Sequence, residues 1–265
     1  MIDLHLHSVY SDGTFTIEQI IEEAKSLGLT QISITDHNIL TGSILASEKC
    51  DIDYVVGSEL SSNYNGVEVH LLSYFPNGSP NNYKNVEFVI KEGEVNKKVA
   101  ILEMIENLNA MGFDIEITEL SEFTKGAFNR VHICKALMKH GYIKSVAEGF
   151  EKYIGNNCPA FVERKKISLL EAIDAVHQDG GLAIIAHPYE YKKMESIDTF
   201  LEEVIDLADG IECFHPSANP ENTKHLVEIA KKHGKLITGG SDFHGENKTN
   251  IFMGMMNVDD KYSLK

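Results

Sequence analysis

The period of the hydrophobic pattern changes several times along this chain, and the changes mark its elements. Residues 2–6 read as a short apolar strand, followed by a loop containing Ser11-Asp12-Gly13. A helix comes next. Thr16 and Gln19 form a capping box, Ile17, Ile20, Ile21, Ala24 and Leu27 make one apolar stripe, and Gly28 stops it. Strands are expected at 31–35, 54–57 and 67–75, with a short helix near 42–49. This strand, helix, strand rhythm predicts parallel pairing and an α/β architecture.

After Pro76 the rhythm breaks. The pattern is helical from about 81 to 112, with Gly93 as a point of interruption, and again at 130–140 and 146–153. Ser168 with Glu171 then opens another helix, and strands at 182–186, 210–214 and 236–238 alternate with helices. About seven strands result, compatible with an incomplete (β/α) barrel. The expected division is a barrel of residues 1–76 and 166–265 with a helical insertion at 77–165.

Composition adds bounds. The chain has 265 residues, 43% hydrophobic and 24% charged, within the range of ordinary globular domains. Its net charge of −16 repels a phosphate backbone, so duplex DNA is not an expected partner. Residues 126–166 run the other way, with eight Lys/Arg against three Glu. Cys50, Cys134, Cys158 and Cys213 form no Cys-x-x-Cys pair, which argues against a disulfide framework and for a reducing cytoplasm. The N-terminus shows no basic segment followed by an apolar stretch, so no secretory signal is expected. No apolar run approaches the ~20 residues of a membrane helix, so no membrane partner is expected.

The 12 histidines carry the chemistry. His5 and His7 stand two apart and share one face of a strand, where both can grip one cation or sit in a satisfied polar core. Asp12 lies just beyond, Asp36-His37 ends the next strand, and Glu59 follows the third. His187, Asp242 and His244 lie at or past the ends of later strands; His70 is mid-strand. Carboxyl ends of strands are where α/β active sites gather. Six His and three carboxylates exceed what one zinc uses and suit two or three divalent cations such as Mn²⁺, Zn²⁺ or Fe²⁺. His140, His177, His225 and His233 lie in or at the ends of helices and read as structural.

His5-Leu6-His7-Ser8 with Ser11-Asp12-Gly13, Thr35-Asp36-His37, Glu59, His187-Pro188 and Ser241-Asp242-Phe243-His244 resemble the PHP (polymerase and histidinol phosphatase) superfamily. The likeness is to its small stand-alone phosphoesterases acting on nucleotides, and it runs from residue 2 to about 250. It implies a distorted seven-stranded (β/α) barrel with a trinuclear metal centre. By that resemblance His5, His7, Glu59 and Asp242 hold one metal. Glu59, bridging, holds a second with His70 and His187; Asp12, His37 and His244 hold the third. Arg130-Val131-His132 matches an Arg-x-His sequence in the insertion of nucleotide-acting members. Those members commonly have a His near Pro216-Ser217, where this chain has Asn219, with His215 slightly earlier.

The resulting expectation is a metal-dependent phosphohydrolase releasing phosphate from small phosphomonoesters, such as 3′,5′-bisphosphonucleotides. Glu59, Asp242 and His187 form its catalytic core, and Arg130, His132, Lys165 and His215 contact substrate phosphate. The alternatives are 5′-to-3′ degradation of short 5′-phosphorylated RNA, histidinol phosphate hydrolysis, and a non-catalytic metal-binding module.

Overall fold

A computed structural model describes residues 1–124, 128–191 and 193–265. In chain order its strands and α-helices are β1 (Ile2–Leu6), α1 (Ile17–Ser26), β2 (Gln31–Ile34), α2 (Thr41–Lys49), β3 (Asp53–Tyr54), β4 (Val56–Tyr64), β5 (Val67–Phe75), α3 (Lys84–Ala110), α4 (Arg130–Lys139), α5 (Val146–Gly149), α6 (Leu169–Gln178), β6 (Leu182–Ile185), α7 (Ile197–Val204), β7 (Gly210–Phe214), α8 (Pro220–Lys232) and β8 (Leu236–Gly239). Two compact units emerge, one of Met1–Ile90 with Ile167–Lys265 and one of Lys91–Lys166.

The larger unit is α/β. Its described strands form a three-stranded sheet, β1-β2-β3, and a five-stranded sheet, β4-β5-β6-β7-β8. The first sheet is parallel, as are the β6-β7 and β7-β8 pairs. The expectation of parallel pairing fails for β4-β5 and β5-β6, which are antiparallel. For β4-β5 the reason is local. Asn65 (φ 48°) and Gly66 (φ 85°) form a two-residue turn with both residues left-handed, and such a turn joins only antiparallel strands. Glu59 consequently lies inside β4 rather than after a strand. Eight strands are present among the described residues, because the stretch read as one strand at 54–57 divides between β3 and the start of β4.

Local signals at the helix starts behave as their chemistry dictates. Thr16 Oγ1 accepts from the Gln19 amide while the Gln19 side chain accepts from the Thr16 amide, and Ser168 and Glu171 repeat the box before α6. Ile17, Ile20, Ile21 and Ala24 are buried, whereas Leu27 caps the C-terminus of α1 and is exposed. Gly93 lies within α3 without interrupting it, a cost of only ~0.5–1 kcal/mol relative to Ala in a 27-residue helix.

Alternation sorts the five-stranded sheet into two faces. Val69, Leu71, Phe75, Ala183, Ile185, Ile211 and Cys213 pack in one core with residues of α6, α7 and α8. The intervening Leu72, Tyr74, Ile184 and Ala186 join Ile2 and Leu4 in another. His70 and Glu212 share the parity of this second face. In the smaller unit, part of α3 and helix α4 enclose a separate apolar core of Ile101, Met104, Leu108, Ile133, Leu137 and Ile154, among others.

Candidate metal centre

Glu59 organises the centre. It is 1% exposed, and a carboxylate so buried is tolerated only when its charge is matched. Among the described residues, five histidines place a ring nitrogen within 3.2 Å of it. Oε2 faces His5, His7 and His37, each at 3.2 Å. Oε1 faces His70 at 2.6 Å and His187 at 2.8 Å. Strand register explains the His70 contact: Glu59 pairs with Leu72, two residues from His70, so both project from one face of the hairpin.

The remaining residues complete the cluster. Asp242 Oδ1 lies 3.2 Å from His7 Nε2 and 3.5 Å from His5 Nε2, and those two nitrogens are 3.1 Å apart. A tetrahedral cation with ligand bonds of 2.0–2.1 Å has donors spaced by about 3.3 Å. His5, His7, Glu59 and Asp242 have that spacing, and two facing imidazole nitrogens repel unless a proton or cation lies between them. The donor set therefore fits a divalent metal. Asp12 gathers the outer side of the cluster, with His244 Nε2 at 3.3 Å, His7 Nδ1 at 3.6 Å and His37 Nε2 at 3.8 Å. His37 thus spans Glu59 and Asp12, and three donor groupings overlap: His5–His7–Glu59–Asp242, His37–Glu59–His70 and His7–Asp12–His37–His244. His187 Nδ1 is buried without a hydrogen-bond partner.

The backbone is shaped to this arrangement. His187 (φ 22°) and Asp242 (φ 55°) hold positive φ at non-glycine residues, strain of ~1–3 kcal/mol each that surrounding structure must sustain. Gly240 lets the end of β8 pass β1, because a Cβ there would lie 2.4 Å from the His5 backbone nitrogen. Asp36 accepts from the Ser8 amide and from the Ser8 and Ser11 hydroxyls, pinning the loop that carries Asp12. Asp3 accepts from the Ser241 and Gly254 amides beside Asp242.

Charge states follow from this crowding. Burial opposes ionisation of Glu59 and Asp242, yet the surrounding imidazoles hold both well below the usual carboxylate range. Burial pushes His37 down to about 4. For His70 burial acts in the same sense, but hydrogen bonds to Glu59 and Glu68 overcome it and raise the ring to about 10.

The substrate residues expected from sequence divide. His215 joins the cluster: it is buried, its ring centroid lies 5.0 Å from that of His187 with the planes tilted by 50°, and its Nε2 lies 3.4 Å from Asp242 Oδ2. Arg130, in the smaller unit, lies over the Phe150 and Phe161 rings and donates to Ile154 O and Asn156 Oδ1. His132 is the third residue of the α4 capping box, its Nδ1 accepting from the Asn129 amide. Lys165 is exposed, and Asn219 caps α8. His140, His177, His225 and His233 each face a carboxylate of Glu119, Asp209, Asp198 or Asp206 outside the cluster.

Sequence reading missed two residues. Lys248 places Nζ 2.5 Å from Asp242 Oδ2, and nothing local in Asn247-Lys248-Thr249 announces it. Glu212 lies 2.8 Å from His5 Nδ1. Its signal was visible: a single carboxylate within the otherwise apolar strand Gly-Ile-Glu-Cys-Phe.

Known proteins are similar to this chain. A curated 5′-3′ exoribonuclease of Haemophilus influenzae is 26% identical over 249 residues, spanning 91% of this chain and 89% of the relative. A 3′,5′-nucleoside bisphosphate phosphatase of Chromobacterium violaceum is 26% identical over 259 residues, 92% of this chain and 87% of its own length. Among solved structures, a Bifidobacterium adolescentis protein assigned by inference as a metal-dependent phosphoesterase superimposes with a TM-score of 0.71. It is 27% identical, covering 98% of this chain and 93% of that one. The family model for the PHP domain matches residues 3–234, and the chain belongs to that family.

Proposed function

We propose that this protein is a metal-dependent phosphohydrolase that removes phosphate from small phosphomonoesters, with 3′,5′-bisphosphonucleotides as the preferred class. The observation that carries the reading is the Glu59 carboxylate, buried among five imidazoles at donor spacings that suit a divalent cation. Two or three cations (Mn²⁺, Zn²⁺ or Fe²⁺) are held by His5, His7, Asp12, His37, Glu59, His70, His187, Asp242 and His244. Bound there, they supply Lewis acidity, which acidifies water and neutralises charge on phosphoryl oxygens.

The chain's own residues do the rest. Glu59 divides its two oxygens between two groups of imidazoles, so it keeps both in one frame. Asp242 turns Oδ1 toward His5 and His7, while Lys248 and His215 approach Oδ2. His215 Nδ1 accepts from the Ser217 amide at 3.1 Å, so in the neutral ring the proton resides on Nε2. Nε2 is buried beside Asp242 Oδ2 at 3.4 Å, and His215 is assigned to a substrate oxygen from the sequence. Arg130, His132 and Lys165 are assigned to the substrate's phosphate from the sequence.

Strands β1, β2 and β4–β8 make a distorted seven-stranded barrel, supported by bridges Leu6–Phe243 and His37–Glu59 between the two sheets. A cytoplasmic setting is supported by four free cysteines. No described helix is long and apolar enough to cross a membrane.

A second reading, 5′-to-3′ hydrolysis of short RNA, is favoured by the Haemophilus relative and needs the same cations with a phosphodiester substrate. Metal-depleted protein reloaded with Mn²⁺, Zn²⁺ or Fe²⁺ separately tests both. Phosphate release from a 3′,5′-bisphosphonucleotide supports the first reading, and stepwise nucleotide release from 5′-phosphorylated RNA the second. No metal-dependent release from either, nor from p-nitrophenyl phosphate, sinks both.

A further inference from the structure

We propose that Glu212 is a positioning residue for the metal centre, fixing the His5 ring so that Nε2 faces the cation and tying His187 to the same frame. Glu212 is fully buried on β7, on the face that also carries the centre. Its Oε1 lies 2.8 Å from His5 Nδ1, and its Oε2 accepts from the His187 backbone amide at 2.8 Å. One side chain therefore joins β1, β7 and the loop after β6.

The geometry separates this role from direct ligation. Glu212, His5 and His215 form a grouping that by spacing alone is compatible with a cation. A backbone amide can only donate, so Oε2 is committed to His187. His5 Nε2 already faces His7, Glu59 and Asp242. Its other nitrogen, Nδ1, must then carry the proton that Oε1 accepts. A carboxylate behind a ligating histidine fixes the tautomer and makes the ring a stronger donor. Glu212 has a further constraint: two donors converge on it, so a neutral amide of the same shape satisfies only one and turns an N–H toward the other.

The inference rests on the reading that His5 and His187 hold a cation, and the experiment separates the two. Zinc affinity is measured by chelator competition on the full chain for wild type, Glu212→Gln and Glu212→Asp, with circular dichroism reporting the fold. A folded Glu212→Gln variant should bind zinc roughly 10–100-fold more weakly, the scale of such outer-layer losses. Glu212→Asp, which keeps the charge, should recover part of the affinity. Wild-type affinity in folded Glu212→Gln overturns the role, while wild type that takes up no zinc sinks the metal reading itself. If Glu212→Gln does not fold, long-range ¹H–¹⁵N correlation on zinc-loaded wild type decides. A proton on His5 Nδ1 supports the role; a proton on Nε2 overturns it.

Discussion

The two units treat buried polar side chains in opposite ways. In the larger unit His5, His7, Glu59, Glu212, His215, Asp242 and His244 are all buried and crowd against one another, while the buried Asp3 and Asp36 brace the loops beside them. In the smaller unit the core is apolar, and two of the polar groups singled out by sequence, Arg130 and His132, contact the scaffold. Arg130 spreads over two phenylalanine rings and satisfies a carbonyl, and His132 closes a capping box. The difference shows how to tell chemistry from architecture. A structural polar group finds its partner nearby in sequence or in a backbone group, as His132 does with Asn129. Ligand-type groups arrive from distant strands and crowd like-charged or lone-pair-bearing atoms together, at a cost that protons or a bound cation must offset.

The sharpest way to break this contrast is to remove its centre. Glu59→Gln should lower turnover by more than roughly a thousandfold, the scale on which groups acting as a unit fail. Metal content by elemental analysis should fall with it. A variant with full metal and near-normal rate removes Glu59 from the centre.

Arg130 probes the other side. Losing a charged, forked donor to phosphate is worth ~1.5–3 kcal/mol, so Arg130→Ala should reduce kcat/KM for nucleotides about 10–100-fold with metal content unchanged. Its stacking on two rings adds ~0.5–2 kcal/mol of stability, so the melting temperature should also drop. A lower melting temperature with unchanged kcat/KM makes Arg130 purely part of the scaffold and withdraws its phosphate role.

Protons sharpen the comparison further. In the metal-free centre burial opposes charge on His70, but Glu59 and Glu68 raise it to about 10. A raised histidine stabilises the metal-free protein fully below its ordinary value near 6.5, and the contribution is lost as pH rises through about 10. At pH 7.5 the ring is therefore protonated, and metal must displace that proton. Calorimetry in buffers of different ionisation enthalpy should show His70→Ala releasing about one proton fewer on zinc binding. An unchanged proton count removes His70 from the ligands.

The smallest effect concerns the turn that sets the register of Glu59 and His70. Gly66→Ala forces a Cβ into a left-handed position and should cost ~1–2 kcal/mol by chemical denaturation. Metal content should stay at the wild-type level. Loss of metal instead would show that the hairpin register slips, since a one-residue slip turns His70 away from Glu59.

Much of this was legible along the chain. The capping boxes at Thr16 and Ser168 depend on residues three apart, and the α/β character depends on local periodicity; both are short-range physics. His5 and His7 share a face because a strand has period two. Asn65-Gly66 also carried its hairpin signal, and reading the rhythm as uniformly parallel passed over it. Other features were beyond local reading. That Glu59 would meet imidazoles from residues 5 and 187 depends on which strands become neighbours, a choice made by burial of whole faces rather than by any nearby residue. Lys248 acquires meaning only because a short turn after β8 brings it to Asp242. Arg130 illustrates the converse: sequence supplied a motif and a charge, but only packing decided that its guanidinium lies over two aromatic rings. Sequence by itself determined which side chains can do the chemistry, because residue type sets donor, charge and softness. Tertiary structure decided their partners, because contact between residues far apart is fixed by the collective packing of the fold.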